Sequence, residues 1–286
     1  MRNFTRELAW AAATVGPGAR VVRSAPIAGG MTGAVIGLEV ADGDGRMHHL
    51  VLKLYKLDPE EPDSPKREAH ILDLLRGSGL TAPQVIAIDP EGVECELPAL
   101  LMTRLPGKPR IWPRDVRSWI VDLATCAARI HATPVVPEAL PLYRRYEWDK
   151  PAAPPAWSRK PALWEKAIEA YRGPAPDHKP VFIHRDYHAG NVLWSNRKVQ
   201  GIIDWLHGCW GPPGQDLAHC RLNLWLNQGP AAADALVAAY HRVAPSAPSY
   251  DPYWDLDEAI GNHDPATPPV SARRYESFVA AAVAKL

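Results

Sequence analysis

The spacing of apolar residues changes once along this chain of 286 residues, and that change limits the possible folds more than any other feature. Before it, short apolar runs alternate with Asp-Gly and Gly-Gly turn signals, which predicts strands, and one helix at residues 66–76 interrupts them. After the segment 106–109, which contains two prolines and a glycine, apolar residues recur at helical spacing, as in 116–131. The sequence therefore predicts an α+β fold with two lobes: a strand-rich N-terminal lobe with one main helix at 1–105, and a mostly helical C-terminal lobe at 106–286.

The charge balance narrows the range of partners. Lys and Arg together number 32, as do Asp and Glu, so the net charge is zero. We expect no binding to nucleic acid and none to an anionic membrane, because both depend on an excess of basic residues. No apolar run approaches the roughly 20 residues needed to span a bilayer. The expected assembly is a monomer or a homodimer.

Two features bear on the compartment. The four cysteines are scattered and form no C-x-x-C pair, which is typical of reduced thiols in a cytoplasmic protein. The apolar run at 8–15 follows two arginines, as in a secretory signal, but it is short and an acidic residue interrupts the basic region. We therefore expect a helix that lies on the first lobe, and a cytoplasmic location.

The stretch from His184 to Asn191 concentrates the chemistry of the chain. It places the carboxylate of Asp186 and the carboxamide of Asn191 five residues apart, and a second carboxylate, Asp204, follows at the end of an apolar run. Phosphoryl transfer from a metal-bound nucleotide needs such a set: one carboxylate takes the proton of the accepting hydroxyl, while the Asn and the other carboxylate hold magnesium. Short strands on both sides predict a hairpin that returns Asp204 to the side of Asn191.

A second candidate site lies in the predicted N-terminal lobe. Lys53 stands inside an apolar strand, where an ammonium group is costly unless its charge is paired. Glu68, on the following helix, is the natural partner, and a Lys–Glu pair in this order can hold nucleotide phosphates. The alternative is an edge lysine that extends to water. The glycine-rich turn at 29–33 could bring backbone N–H groups to phosphate oxygens, although it matches neither G-x-G-x-x-G nor the P-loop pattern.

The polar residues near these motifs have other interpretations. Asp216 opens a predicted helix, where it could cap the first turn or brace the loop that contains Asp186. Several histidines and cysteines, His188 and His219 among them, could suggest zinc, but no pair has ligand spacing on one element. His188 is better explained as a loop residue near the acceptor.

Taken together, these residues resemble the aminoglycoside phosphotransferase and choline kinase family, which has the protein-kinase-like fold. The resemblance lies in the segments GGMTG, LVLKLY, REAHIL, PALLMTRLPG, HRDYHAGNVLW, GIIDW and GQDLAHC, in that order. Only HRDYHAGN together with IDW is specific. Leu206, where many relatives have an acid, and the bulky segment 209–213 depart from the family pattern, which puts any particular substrate in doubt.

The resemblance implies roles for individual residues and implies ATP and Mg²⁺ as cofactors. Asp186 would be the catalytic base, Asn191 and Asp204 the magnesium ligands, and Lys53, paired with Glu68, would contact the α- and β-phosphates. The loop that covers the phosphates would comprise Gly29, Gly30, Met31, Thr32 and Gly33. The hinge that receives the adenine would comprise Leu101, Met102 and Thr103. The nucleotide would lie between the two lobes, and His184 and Asp216 would support the catalytic loop.

The acceptor is expected in the C-terminal lobe. The stretch between Val243 and Ala272 has no Lys or Arg but has acids interleaved with aromatic residues, a composition that suits a cationic or amino-sugar ligand. The candidate acceptor-binding residues are His188, Asp255, Asp257 and Glu258. The alternative for the three acids is a solvated acidic face.

The resulting prediction is an ATP-dependent phosphotransferase that phosphorylates a hydroxyl of a small molecule, an aminoglycoside or similar antibiotic in the first place. A metabolic alcohol, such as an amino alcohol, a sugar or a homoserine-like compound, is the second candidate. A pseudokinase that binds nucleotide without transfer is a third, although all catalytic positions are filled. A protein kinase is disfavoured because no A-P-E follows Asp204 and little room is left for an activation loop.

Overall fold

The computed structural model describes residues 4–27, 33–58, 63–145, 153–261 and 266–286. The chain forms two compact units, one of Met1–Lys108 with Leu193–His207, the other of Pro109–Val192 with Gly208–Leu286. The first break lies three residues beyond the predicted one at 105. The segment Leu193–His207 belongs to the first unit, whereas the predicted division had placed it in the C-terminal lobe.

The first unit is built on a five-stranded antiparallel sheet with the strand order β1-β2-β3-β5-β4. Its elements, in chain order, are α1 (Thr5–Val15), β1 (Arg20–Pro26), β2 (Gly33–Ala41), β3 (Met47–Tyr55), α2 (Ser64–Leu74), β4 (Val85–Asp89) and β5 (Ala99–Thr103), followed by the short β6 (Lys108–Pro109). The predicted strands and the predicted helix are therefore confirmed, with ends that differ by a few residues.

The alternation in β3 separates the two faces of this sheet. Leu50, Leu52 and Leu54 are buried in a core with residues of β2 and β5 and with Ala11 of α1. This places α1 on that face, as expected for the apolar run at 8–15. Lys53 lies between Leu52 and Leu54 in the strand, and its side chain therefore points to the opposite face. Its neighbours across the strands are Val35 and Leu100, so it lies in the middle of the sheet and not at an edge.

The second unit is mostly helical. Its elements are α3 (Val116–His131), α4 (Pro161–Arg172), β7 (Val181–Ile183), β10 (Cys209–Gly211), α5 (Pro213–Asn227), α6 (Pro230–Val243), α7 (Tyr253–Gly261) and α8 (Ala272–Val283); between β7 and β10 the chain forms β8 (Val192–Ser195) and β9 (Lys198–Ile202). Strands β7 and β10 pair antiparallel. Helix α3 has the predicted bounds, and the side chain of Asp115 caps it by accepting the N–H of Ser118.

Two parts of the helical region differ in how well the sequence predicts them. Helices α5, α6 and α8 lie in the part of the chain that the sequence predicts to be mostly helical. Helix α7 was not predicted, because its nine residues combine acids with aromatic residues and every one of them is buried, so no polar face reveals the helical period. No helix in the described parts of the chain is long and apolar enough to cross a membrane.

The hairpin of β8 and β9 leads to Asp204. Asn196 and Arg197 form its turn with φ angles of 49° and 62°, which matches the right-handed twist of a two-residue hairpin. Backbone contacts hold it within the first unit: the N–H of Ile202 donates to the carbonyl of Thr81 over 2.9 Å.

Candidate active site

Lys53 is the centre of a buried charge cluster in the first unit. Its Nζ donates to Glu68 Oε2 over 2.6 Å and to Asp204 Oδ1 over 2.7 Å. The hydroxyl of Tyr55 donates to the same oxygen of Glu68 over 2.6 Å. Burial alone would lower the pKa of Lys53, but the charges of Glu68 and Asp204 outweigh it and raise that pKa well above its usual value. The ammonium group therefore stays charged and tied to two carboxylates.

The backbone at Asp204 is unusual. Its φ of 66° lies in the left-handed region, which aspartate tolerates better than most residues. The indole N–H of the fully buried Trp205 donates to the carbonyl of Ile202 over 2.9 Å and so anchors the turn. The Asp204 side chain is 35% exposed although one of its oxygens contacts Lys53. A carboxylate is thus held at a fixed place with part of it open to solvent.

In the second unit, Asn191 holds Asp186 at two points. Its Nδ2 donates to the backbone oxygen of Asp186 over 2.8 Å and to Oδ2 of the same residue over 2.9 Å. Asn191 ends a 3₁₀ turn that His188 opens, and the Nδ1 of His188 accepts the N–H of Gly190 over 3.1 Å. The spacing between Asp186 and Asn191 therefore closes a compact loop in which both side chains meet.

Asp216 braces this loop from the start of α5. Its carboxylate is fully buried and accepts the N–H of His184 over 2.9 Å and the N–H of Arg185 over 2.6 Å. His131 Nε2 lies 3.2 Å from the same carboxylate. Burial alone would raise the pKa of Asp216, but the bond to His131 and the charge of His184 hold it below its usual value. The predicted bracing contact is confirmed, and Arg185 can adopt its left-handed φ of 67° because both neighbouring amides are fixed.

His219 contacts Asp186 from the next turn of α5, and the sequence analysis had considered this histidine only as a metal ligand. Its Nε2 lies 3.1 Å from Asp186 Oδ1, and its Nδ1 lies 2.8 Å from Glu258 Oε1. The other oxygen of Glu258 accepts from Nε2 of Gln215 over 2.9 Å. The signal that could have revealed this contact is the spacing on α5, since His219 follows Asp216 by three residues and shares its helix face.

The charges of His219, Glu258 and Asp186 stabilise one another and shift the pKa values of His219 and Asp186. Burial alone would lower the pKa of His219, but Glu258 and Asp186 raise it well above its usual value. Burial alone would raise the pKa of Asp186, but the contact with His219 and the charge of that ring hold it well below its usual value. Asp186 is therefore ionised, and its side chain remains 29% exposed.

Asp186, His188 and His219 also lie close enough to share a metal ion, since one ligand atom of each lies within 4.8 Å of the others. The contacts of both histidines oppose that use. The Nδ1 of His188 accepts an N–H, which leaves the proton of the neutral ring on Nε2. Both nitrogens of His219 face carboxylates. The cluster is therefore better described as a hydrogen-bonded group than as a metal centre.

The three acids expected at the acceptor site do not form an exposed acidic surface. Asp255, Asp257 and Glu258 lie on α7 with exposures of 3%, 4% and 1%. Asp255 forms a two-point pair with Arg221 over 3.0 and 3.1 Å and also accepts from Tyr250. Asp257 accepts from Tyr143 and lies 3.3 Å from Arg145 Nε. The solvated acidic face considered as the alternative is wrong, because all nine residues of α7 are buried, whereas contact of these acids with an acceptor stays a prediction.

The remaining predicted nucleotide-binding residues lie in the first unit. Gly29, Gly30, Met31 and Thr32 fall outside the described residues. Gly33 opens β2, and a Cβ at this position would overlap the carbonyl of Leu54. Leu101, Met102 and Thr103 end β5 beside β3; the first two are buried, and the Thr103 hydroxyl accepts the N–H of Gln84 over 2.8 Å. The predicted approach of Asp204 to Asn191 joins residues of the two units and stays a prediction.

A lysine–glutamate pair on a strand and the next helix, and a braced loop with an Asp and an Asn, are features of phosphotransferases that use a nucleotide. The model of the phosphotransferase enzyme family, abbreviated APH, matches residues 3–253, and the chain belongs to this family. The resemblance inferred from the sequence is confirmed. No curated protein matches the sequence at a significant level.

Solved structures of the same kinase-like fold cover nearly the whole chain. The macrolide 2′-phosphotransferase MphH of Brachybacterium faecium, an apoenzyme, is 17% identical with a TM-score of 0.60, over 97% of both chains. An aminoglycoside-3′-phosphotransferase of type VIII is 21% identical with a TM-score of 0.60, over 97% of this chain and 100% of its own. APH(2″)-IIa in a ternary complex with streptomycin and ATP is 17% identical with a TM-score of 0.59, over 97% and 99%. The predicted α+β, protein-kinase-like fold is thereby confirmed.

Proposed function

We propose that this protein transfers the γ-phosphate of ATP to a hydroxyl group of a small molecule, with Asp186 as the base. The observation that supports this most is the placement of Asp186: its carboxylate is partly exposed and held at Oδ2 by Asn191 over 2.9 Å. In the reaction, the acceptor oxygen bonds to the γ-phosphorus while the bond to the β,γ-bridging oxygen breaks, ADP departs, and the hydroxyl proton passes to Asp186.

The nucleotide phosphates are assigned to the first unit. Lys53 would contact the α- and β-phosphates, with Glu68 holding its ammonium group in place over 2.6 Å. The segment 29–33 would cover the phosphates with backbone N–H groups. Leu101, Met102 and Thr103 would receive the adenine along the end of β5. Bound ATP in the APH(2″)-IIa complex supports ATP as the donor.

Asn191 and Asp204 would hold Mg²⁺. Both offer oxygen, the ligand that this hard cation prefers. The Nδ2 of Asn191 is engaged by Asp186, which leaves its Oδ1 as the donor atom for a cation, and Asp204 commits only Oδ1 to Lys53. When bound, Mg²⁺ would neutralise charge on the phosphate oxygens. The residues therefore fit the ion.

The first candidate for the acceptor is an aminoglycoside or a similar antibiotic, and its support is the likeness to antibiotic phosphotransferases. The acids of α7 do not add to that support, because each is buried and paired with a charged or polar residue of the protein. His188, 27% exposed beside Asp186, remains a candidate for contact with the acceptor. A metabolic alcohol is the second candidate for the same chemistry.

The decisive experiment is a screen for phosphate transfer from Mg-ATP to aminoglycosides, macrolides, amino alcohols, sugars and homoserine. With the acceptor found, Asp186→Ala should lower turnover by about 10²- to 10⁴-fold while nucleotide still binds. Asp177→Asn, at an exposed aspartate of the same unit, is the matched control. Transfer at a near wild-type rate in Asp186→Ala would disprove the assignment of the base. Nucleotide binding without any transfer by the wild-type protein would identify a pseudokinase.

A further inference from the structure

We propose that His219 is a positioning residue that fixes the carboxylate of Asp186 for proton transfer, and that Glu258 and Gln215 fix His219 in turn. The inference rests on the proposed function. Neither the resemblance nor the comparisons assign a positioning role to these three residues. The three residues form a series of contacts that leads to the proposed base: Gln215 on α5 contacts Glu258 on α7, and Glu258 contacts His219 on α5.

The orientation of the Asp186 carboxylate depends on the contacts of its two oxygens. The terminal torsion of an aspartate side chain is broad, so a carboxylate needs contacts on both oxygens to keep one orientation. Asn191 supplies the contact on Oδ2 at 2.9 Å, and His219 supplies the contact on Oδ1 at 3.1 Å. His188 lies farther from Oδ1, at 3.8 Å, beyond hydrogen-bond distance. Of these two histidines, His219 therefore lies within hydrogen-bond distance of Oδ1 and His188 does not.

The ring of His219 is itself held in one orientation. An imidazole can turn either nitrogen towards a partner, so its orientation must be selected. Glu258 Oε1 lies 2.8 Å from Nδ1, which directs Nε2 to Asp186. Glu258 is 1% exposed and receives a second bond, on Oε2, from Gln215 one helical turn before His219. The buried carboxylate of Glu258, held at both oxygens, thus fixes the orientation of the His219 ring. The ring in turn fixes the orientation of the Asp186 carboxylate.

This arrangement has a consequence for the reaction. The hydroxyl must meet an Asp186 oxygen at a productive distance and angle, and a displacement of about 1 Å can lower a rate by roughly 10²-fold. A residue that restricts the rotation of this carboxylate therefore acts on kcat. It does not act on nucleotide affinity, because no described contact of His219 involves Lys53, Glu68 or Asp204.

Two substitutions separate the contacts of the ring. The amide nitrogen of Gln reaches the place of the histidine Nε2, so His219→Gln keeps a donor for Asp186 and loses the one for Glu258. The amide nitrogen of Asn reaches the place of Nδ1, so His219→Asn keeps the donor for Glu258 and loses the one for Asp186. We expect His219→Asn to lower kcat by about 10- to 100-fold with an unchanged KM for Mg-ATP, and His219→Gln to retain most of kcat. The readouts are initial rates of acceptor phosphorylation, and of ATP hydrolysis with water as the acceptor.

Asp186→Asn gives a second test that does not depend on the folding of one variant. If His219 acts through Asp186, adding His219→Asn to Asp186→Asn should cause no further loss of the residual rate. A full additional loss in the double variant, or a loss of kcat in His219→Gln with none in His219→Asn, would overturn the inference while the proposed function stands. A wild-type protein that neither hydrolyses ATP nor phosphorylates any acceptor would overturn both.

Discussion

Lys53 Nζ and Glu68 Oε2 lie 2.6 Å apart, and the two residues are only 5% and 1% exposed. One comes from the central strand β3 and the other from α2, so the pair connects the sheet to the helix that follows it. Removing one member of a buried pair leaves the other as an uncompensated charge, whereas removing both does not. The stability of the first unit should therefore respond to the two changes in different ways.

We predict that Lys53→Met lowers the free energy of unfolding by about 3–5 kcal/mol, because among the described residues Glu68 then keeps only the Tyr55 hydroxyl as partner. The double variant Lys53→Met/Glu68→Met should recover much of this loss, and urea unfolding measures both. Lys66→Met is the matched control: its pairs with Asp63 and Glu91 are exposed, so about 0–1 kcal/mol is expected. A double variant less stable than Lys53→Met would contradict the prediction.

Asp204→Asn should impair the use of magnesium while the fold is kept. Asparagine tolerates the left-handed φ of 66° and can still accept from Lys53, but it has no charge to offer a cation. We expect turnover to fall by about 10²-fold or more and the Mg²⁺ concentration for half-maximal rate to rise. Rates measured over a Mg²⁺ series decide this. An unchanged dependence on Mg²⁺ would remove Asp204 from the proposed ligands.

Asp257 should make stability depend on pH. Burial raises the pKa of Asp257 from 3.8 to about 6, although Tyr143 and Arg145 act in the opposite direction. The folded state therefore binds the proton more tightly than the unfolded state. The stabilisation of the fold by this protonated carboxyl is full below pH 3.8 and is lost as the pH rises through 6. Relative to Asp257→Asn, the wild-type protein should lose up to about 3 kcal/mol of unfolding free energy over this window.

The measurement for Asp257 is chemical unfolding of both proteins at several pH values between 4 and 7, with Asp177→Asn as a surface control that should run parallel to wild type. A difference between wild type and Asp257→Asn that stays constant, or grows with pH, would show that this carboxyl is not the protonated group.

Gly214→Ala should destabilise the second unit although alanine favours helices. The Cβ added at this position in α5 would lie 2.6 Å from Nε1 of the buried Trp254, and such overpacking costs about 1–3 kcal/mol. The gain in helix propensity is smaller, about 1 kcal/mol. Thermal unfolding checks the sign. In a Trp254→Leu background the same substitution should become harmless, and an equal loss in both backgrounds would refute the overlap as the cause.

The elements that carry the proposed chemistry could be predicted where the contacts join residues that are near one another in sequence. Lys53 lies in a strand whose alternation places leucines on one face, and the cost of burying its charge called for a partner such as Glu68. Asp186 and Asn191 are separated by so few residues that loop closure alone brings them together. Their proposed roles remain predictions, but the contacts between them are present.

The predictions were incomplete where a contact depends on the packing of segments that are far apart in sequence. Lys53 and Asp204 are 151 residues apart in sequence, and nothing in either segment specifies that they touch. The three acids of α7 were predicted to contact the acceptor or, alternatively, to form a solvated acidic face. Arg221, Arg145 and His219 instead supply the charges that let these carboxylates be buried.

By itself the sequence determined the order of strands and helices and the local groupings around Lys53 and Asp186, because short-range geometry and the cost of buried charge act within a few residues. Only the tertiary structure decided which distant groups neutralise one another. His219 meets Asp186 and Glu258 because α5 and α7 pack together, and that packing depends on buried surfaces from the whole second unit, which no local pattern contains.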